Sequence, residues 1–158
     1  MDNLTLTLNR ELSFAVPDGF HVMDESERAK LSFLGKGLGE CITDPDRHVI
    51  ISFGWKSPGL AALLLSAKDA AKQVESDIRK PMRSYGYHAD GFLSRAVGGE
   101  TAEGFSYDYE AQGIRMAAES CVVKHGKVFY YLHIYTREEY KDENLKLWSE
   151  LLSTAKWA

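Results

Sequence analysis

Cysteine is scarce in this chain, positive charge is not in excess, and no long apolar run is present. The two cysteines, Cys41 and Cys121, lie far apart and match neither a CxxC pair nor a zinc-ligand spacing. This excludes a disulfide scaffold or a zinc module, and the spacing gives no support to a disulfide between the two. A formal charge of −4 leaves no basic excess to neutralise a phosphate backbone, the main source of nucleic-acid affinity, so nucleic acid is not an expected partner. No apolar stretch approaches the roughly 18 residues that span a bilayer. Met1 to Arg10 lacks a basic start followed by an apolar run, and the chain as given is expected to be cytoplasmic; a signal peptide already removed would leave no trace. Also missing are the G-x-S-x-G elbow, a Cys and His signature and H-E-x-x-H. No catalytic, cofactor-binding or metal-binding residue is therefore expected.

The composition is that of a globular protein, with 44% hydrophobic and 27% charged residues, and 158 residues suit one domain, 1–158, around one core. Leu12 to Val16 alternates and meets Pro17-Asp18-Gly19, which predicts a strand ended by a turn. Asp24 to Lys30 predicts one or two helical turns. Leu38 to Thr43 and His48 to Trp55 are apolar and β-branched, with Asp44-Pro45-Asp46 between them, as in a hairpin built on a type I turn.

Leu60, Leu63, Leu64, Ala67, Ala71, Val74 and Ile78 recur three and four apart, the stripe of a long central helix over about 60–84. Two starts fit: Ser57 before Pro58, or Ser66 with Asp69 as a capping box. Pro81 should kink or stop this helix near Lys80. Lys68, Lys72, Arg79, Lys80 and Arg83, interleaved with Asp69, Glu75 and Asp77, form its solvated face. At the other end Thr136 with Glu139 resembles a capping box. Leu147, Trp148, Leu151, Leu152 and Ala155 mark a C-terminal helix over about 138–156.

Between the helices lie four strand-like runs, His88–Ala96, Thr101–Gln112, Ile114–Lys124 and Lys127–Thr136. With Gln112-Gly113 and His125-Gly126 as two-residue loops, Tyr109 faces Met116, Tyr107 faces Ala118, Ala118 faces His133 and Met116 faces Tyr135. One face then carries Phe105, Tyr107, Tyr109, Met116, Tyr131, His133 and Tyr135. The other carries Asp108, Glu110, Arg115, Glu119, Tyr130, Leu132 and Ile134, with Glu110 opposite Arg115 as a cross-strand ion pair. The expected class is α+β: an antiparallel sheet of about six strands flanked by helices.

This order of elements, with Phe14-Ala15-Val16-Pro17-Asp18-Gly19-Phe20 near the start, entry to a helix after Trp55, a Tyr-rich meander and a helix ending near Trp157, resembles the PsbP-like superfamily. That superfamily spans an extrinsic photosystem II subunit, a Ran-binding nuclear import factor and bacterial DcrB-like proteins. The resemblance implies an α/β/α sandwich and binding to a partner protein without catalysis, and it specifies no partner.

The remaining candidates have plain structural readings. Gly35-Lys36-Gly37-Leu38-Gly39 lacks the Ser or Thr and the following helix of a phosphate loop and reads as a turn or bulge. Asp44, Asp46 and His48 could offer metal ligands, but they are also what a hairpin turn requires. Asp108 and Glu110 beside Arg115 read as a structural ion pair, and Cys41 and Cys121 as buried thiols. The aromatic face, Tyr107, Tyr109, Tyr131, His133 and Tyr135, is the candidate ligand or partner surface, because tyrosine offers apolar area with a polar tip. The competing reading is a core histidine and tyrosines covered by a helix. The functional expectation is a noncatalytic protein- or peptide-binding module with an unknown protein partner; the alternative is a small-ligand binder or an unrecognised enzyme using the same face.

Overall fold

The computed structural model describes residues 4–30, 39–60 and 64–158. The elements run β1 (Thr5–Leu8), β2 (Leu12–Ala15), β3 (His21–Val22), α1 (Glu25–Ala29), β4 (Glu40–Asp44), β5 (Val49–Lys56), α2 (Ala67–Met82), β6 (His88–Val97), β7 (Glu100–Ala111), β8 (Ile114–His125), β9 (Val128–Arg137), α3 (Lys141–Ser153) and β10 (Lys156–Trp157). A seven-stranded antiparallel sheet has the order β3-β4-β5-β9-β8-β7-β6, and a three-stranded sheet has the order β1-β2-β10. The protein is thus α+β, as the pattern of periods predicts. Helix α2 covers one face of the large sheet, and α3 with the small sheet covers the other.

The small sheet is unforeseen in the sequence reading, which places no strand before Leu12. Thr5 to Leu8 nevertheless alternates exposed and buried residues. Asn9 and Arg10 join it to β2 with φ of 51° and 54°, the paired left-handed conformation of a tight hairpin turn. The turn after β2 docks on the β4–β5 hairpin. Arg47 donates to the Asp18 carbonyl at 2.8 Å, pairs with Asp44 at 3.0 Å and lies over the Phe20 ring. Gly19, at φ +90°, is required there, because an added Cβ would meet Asp44 Oδ2 at 2.7 Å. Asp44 also accepts from the Asp46 amide, so the Asp44, Asp46 and His48 segment is turn chemistry. Of the Gly35 to Gly39 run, residues 35–38 lie outside the described residues.

Helix α2 starts at Ala67, not near Leu60. Ser66 accepts from the Asp69 amide while Asp69 accepts from the Ser66 amide, so of the two candidate starts the capping box is the one used. The helix stops at Met82, one residue past Pro81 and close to the expected end near Lys80, and gives way to a 3-10 turn at Arg83–Tyr85. At this last turn the carbonyl that proline leaves free can reach solvent. Helix α3 is shorter than the apolar stripe suggests, and the chain leaves it to pair β10 with β2. The Thr136–Glu139 capping box does not form: Thr136 is still within β9, which runs to Arg137, and its hydroxyl accepts from Asn144 Nδ2 at 2.7 Å.

The β7–β8 register is as expected, with Tyr109 opposite Met116 and Tyr107 opposite Ala118. The β8–β9 register differs. Ala118 faces Tyr135, Met116 faces Arg137 and Ser120 faces His133, because the turn is Gly126-Lys127 and not His125-Gly126. This is a slip of two residues, and side chains alternate with period two, so every face assignment survives. Glu110 does lie opposite Arg115, yet Arg115 pairs with Asp108 and, at 3.3 Å, with Glu138.

On the α3 side, Trp148, Leu151 and Leu152 pack with Ile51, Phe53, Leu132, Ile134 and the small sheet's Leu8, Leu12 and Phe14. Buried Glu119 projects into this layer. It accepts a fork from Arg95 at 2.7 and 2.6 Å and a third bond from Trp148 Nε1 at 2.6 Å. One carboxylate therefore ties the edge strand β6 and helix α3 to the middle of the sheet.

Candidate functional site

On the opposite face, Val74, Ile78 and Met82 of α2 pack on Phe105, Tyr107, Tyr109 and Ala118 of β7 and β8, together with Tyr135. The helix lies over the β7–β8 half. Towards β9, β5 and β4 a groove of about 1040 Å³ opens between the helix and the sheet. Val74, Ile78, Pro81 and Met82 form one wall, and Ile50, Tyr131, His133 and Tyr135 face them across the floor. Ionic groups are few and lie towards its ends, Lys56 at one and Arg137 at the other, with Asp77 on the helix wall.

The depth of the groove has a local cause. Where β9 presents tyrosine and histidine, its neighbour β5 presents Ser52 and Gly54, opposite His133 and Tyr131. These small residues leave the sheet surface low just where the helix no longer covers it. A Cβ added to Gly54 would meet nothing within 4 Å.

The five expected site residues share this face but not the same environment. Tyr107, Tyr109 and Tyr135 are buried, and Tyr131 and His133 are half-buried. Tyr109, Tyr131, His133 and Tyr135 line the groove, whereas Tyr107 lies beneath the helix, its ring stacked between those of Phe105 and Tyr109. The hydroxyls of Tyr107 and Ser52 are buried without a hydrogen-bond partner among the described residues. Burial pushes the Tyr107 and Tyr135 phenols up, and that of Tyr109 to about 12, so all three are neutral hydrogen-bonding tips at physiological pH. Ile50, Ser52 and Gly54 also shape the groove and escaped the sequence reading. Their alternation along β5 was a usable signal, but small residues look inert until their neighbours are known.

His133 Nδ1 lies 2.6 Å from Ser120 Oγ. Burial pushes its pKa down from 6.5 to about 4, so the ring is neutral at pH 7. The unfolded chain takes up this proton near pH 6.5 and the folded protein only near pH 4, so the unfolded state binds more protons between the two. The contribution to stability is complete above pH 6.5 and is lost as pH falls towards 4. Allowing for the half-buried ring, it amounts to about 2 kcal/mol. Urea unfolding of a His133→Gln variant should show a correspondingly shallower loss of stability from pH 7 to pH 4. Parallel losses in the two proteins would mean that the ring titrates normally.

Two serines, Ser52 and Ser120, flank His133 across the neighbouring strands, and both are buried. The Ser120 hydroxyl is already engaged with His133. The Cys41 thiol is pushed up to about 11 by burial, and that of Cys121 higher still. Elsewhere, His88, Asp90 and Asp108 come together at the β6–β7 edge, where the Arg115 guanidinium already neutralises Asp108.

Sheet order and helix placement define an antiparallel α+β sandwich with an open groove beside its central helix. No protein-family profile and no curated protein sequence matches the chain. Solved structures do. The cyanobacterial PsbP protein CyanoP from Synechocystis sp. PCC 6803 superposes with a TM-score of 0.69 at 13% identity, over 98% of this chain and 92% of that one. The Ran-binding protein Mog1p of Saccharomyces cerevisiae gives 0.60 at 13% identity, over 98% and 95%. LpqN of Mycobacterium tuberculosis, described as involved in cell envelope biogenesis, gives 0.57 at 16% identity, over 93% and 83%. The chain has the PsbP-like fold; identities this low establish the fold alone.

Proposed function

We propose that this chain is a noncatalytic protein- or peptide-binding module and that its partner docks in the groove between α2 and strands β5 and β9. The observation that carries the reading is the groove itself. Its volume of about 1040 Å³ lies at the upper end for pockets that hold small molecules, and its walls combine aliphatic and aromatic area with a few neutral hydroxyl and imidazole tips. Such a surface rewards burial of apolar side chains and orients them by a small number of hydrogen bonds. Mog1p, which shares the fold, is a Ran-binding protein. The buried serines and raised thiols favour binding over covalent chemistry.

Gly54 supplies the test. Its position is open, so a leucine there enters the groove without displacing backbone, and replacing a strand glycine also relieves the entropic cost of ordering it. Peptides selected by display on the wild-type protein alone, and then assayed on the Gly54→Leu variant, are expected to carry apolar anchors. They should bind the variant at least about tenfold more weakly, the loss of roughly one buried side chain. Peptides that bind both proteins equally, or no enrichment at all, would remove the groove from the proposal.

A second reading, a small ligand in the same groove, is favoured by the cluster of Ser52, His133 and Tyr135 on the floor. Thermal shift separates the two, since a ligand that binds only the folded state raises the melting temperature by mass action. A metabolite that shifts the wild type but not Gly54→Leu would favour this reading, particularly if display selection fails.

A further inference from the structure

The loop that joins β5 to α2 carries aliphatic side chains that the described residues leave in solvent. Leu60 is 83% exposed, Leu64 86% and Leu65 42%. From Gly59 to Leu65 the sequence reads Gly-Leu-Ala-Ala-Leu-Leu-Leu, without a polar side chain. Single exposed leucines are ordinary on a protein surface, but several within one short loop mark a contact site.

Lysines surround this loop. Lys124 Nζ donates to the Leu65 carbonyl at 2.8 Å. Lys56 and Lys124 flank Phe129 across β5, β9 and β8, with their ammonium groups over the Tyr131 and Phe129 rings at 5.7 and 5.5 Å. Lys68 stands exposed in the first turn of α2, and the neighbouring carboxylate, Asp69, is engaged with Ser66. Among the described residues no carboxylate pairs with Lys56, Lys68 or Lys124. In a chain with a net charge of −4, three lysines without a carboxylate partner among the described residues thus flank this apolar tip.

We propose that the β5–α2 tip is a peripheral membrane contact: Leu60, Leu64 and Leu65 enter the acyl boundary of an anionic bilayer while Lys56, Lys68 and Lys124 lie among its phosphates. A bilayer fits the tip better than a folded partner does. Leu60 and Leu64 are almost fully exposed, and lipid accommodates such protrusions without a matching cavity. Unpaired lysines around them attract any anionic surface without a fixed geometry. The contact lies on the bilayer and does not cross it; no helix among the described residues is long and apolar enough to span.

Co-sedimentation of the full chain with vesicles tests this, comparing phosphatidylcholine alone with phosphatidylcholine containing phosphatidylglycerol. At low salt, partition onto the anionic vesicles should exceed that onto neutral ones by about tenfold and fall as salt rises. Leu60→Ser combined with Leu64→Ser should lower it by about tenfold or more. Lys56→Gln with Lys68→Gln should remove most of the preference for anionic lipid. All four side chains project from the surface, so unchanged melting temperatures are expected and serve as the folding control. An NBD fluorophore on Leu64→Cys, placed selectively because both native thiols are buried, should shift to the blue on binding. Absence of partition at low salt, indifference to the leucine substitutions, or a water-like NBD spectrum overturns the proposal; the first is also the result expected if the loop docks only on protein. Lys56 belongs to both sites, but Leu60 and Leu64 lie outside the groove lining, so the leucine substitutions should leave peptide binding in the groove unchanged and separate the two proposals.

Discussion

Replacing Glu119 with alanine is expected to destabilise the fold by about 3–5 kcal/mol, the cost of leaving one partner of a buried ion pair uncompensated. Glu119 is 2% exposed and takes three bonds, two from Arg95 and one from the indole of buried Trp148. Its removal strands the indole N–H in the core and releases the guanidinium that joins β6 to the sheet and, at 3.0 Å, to Ser149 of α3. In a chain of this length the loss corresponds to a fall in melting temperature of roughly 10 °C. A double-mutant cycle with Arg95→Ala separates pair from packing: because the cost is that of an orphaned charge, the double variant should be much less destabilised than the sum of the singles. Additive losses in urea unfolding would show that Arg95 and Glu119 act independently.

The second large effect is expected at Gly104. In β7, a Cβ on this residue would lie 2.1 Å from the Ser120 carbonyl oxygen and 2.8 Å from Cys121 Cβ, both in the adjoining strand β8. The first obstacle is backbone and cannot rotate away, so Gly104→Ala must push these central strands apart or abandon their ladder. A loss of about 3 kcal/mol or failure to fold is expected, at the upper end of overpacking costs. Gly54→Ala is the matched control, a glycine-to-alanine change in the same sheet with open space beyond the Cβ, and should be neutral or slightly stabilising. A Gly104→Ala protein with a urea midpoint close to that of the wild type would mean that β7 and β8 separate easily.

These two glycines show where sequence reading stops. Both occupy strands, both have apolar neighbours, and residue type cannot distinguish the one against which a backbone closes from the one that opens a groove. Glu119 poses the same difficulty. Its place on the apolar side of the meander follows from alternation, but its partners are 24 and 29 residues away along the chain. Short elements also escaped, since β3 and β10 have two residues each and exist because a longer strand offers them an edge. Leu60 and Leu64 misled in the opposite direction: they continue the helical period of Ala67, Ala71, Val74 and Ile78, yet the reciprocal bonds of Ser66 and Asp69 start the helix after them.

Periodicity and turn chemistry alone were enough to determine the antiparallel meander, the two sheet faces and the aromatic character of one of them. Each depends on alternation over a few residues, which even a two-residue register slip preserves. Whether that aromatic face is closed was decided only in three dimensions. Val74, Ile78 and Met82 settle on β7 and β8, the small side chains of β5 lie beyond the helix, and the difference between the width of the sheet and the width of one helix remains as the groove. Coverage depends on where an amphipathic helix comes to rest across a sheet. That is the outcome of contacts between distant segments, which no local pattern encodes.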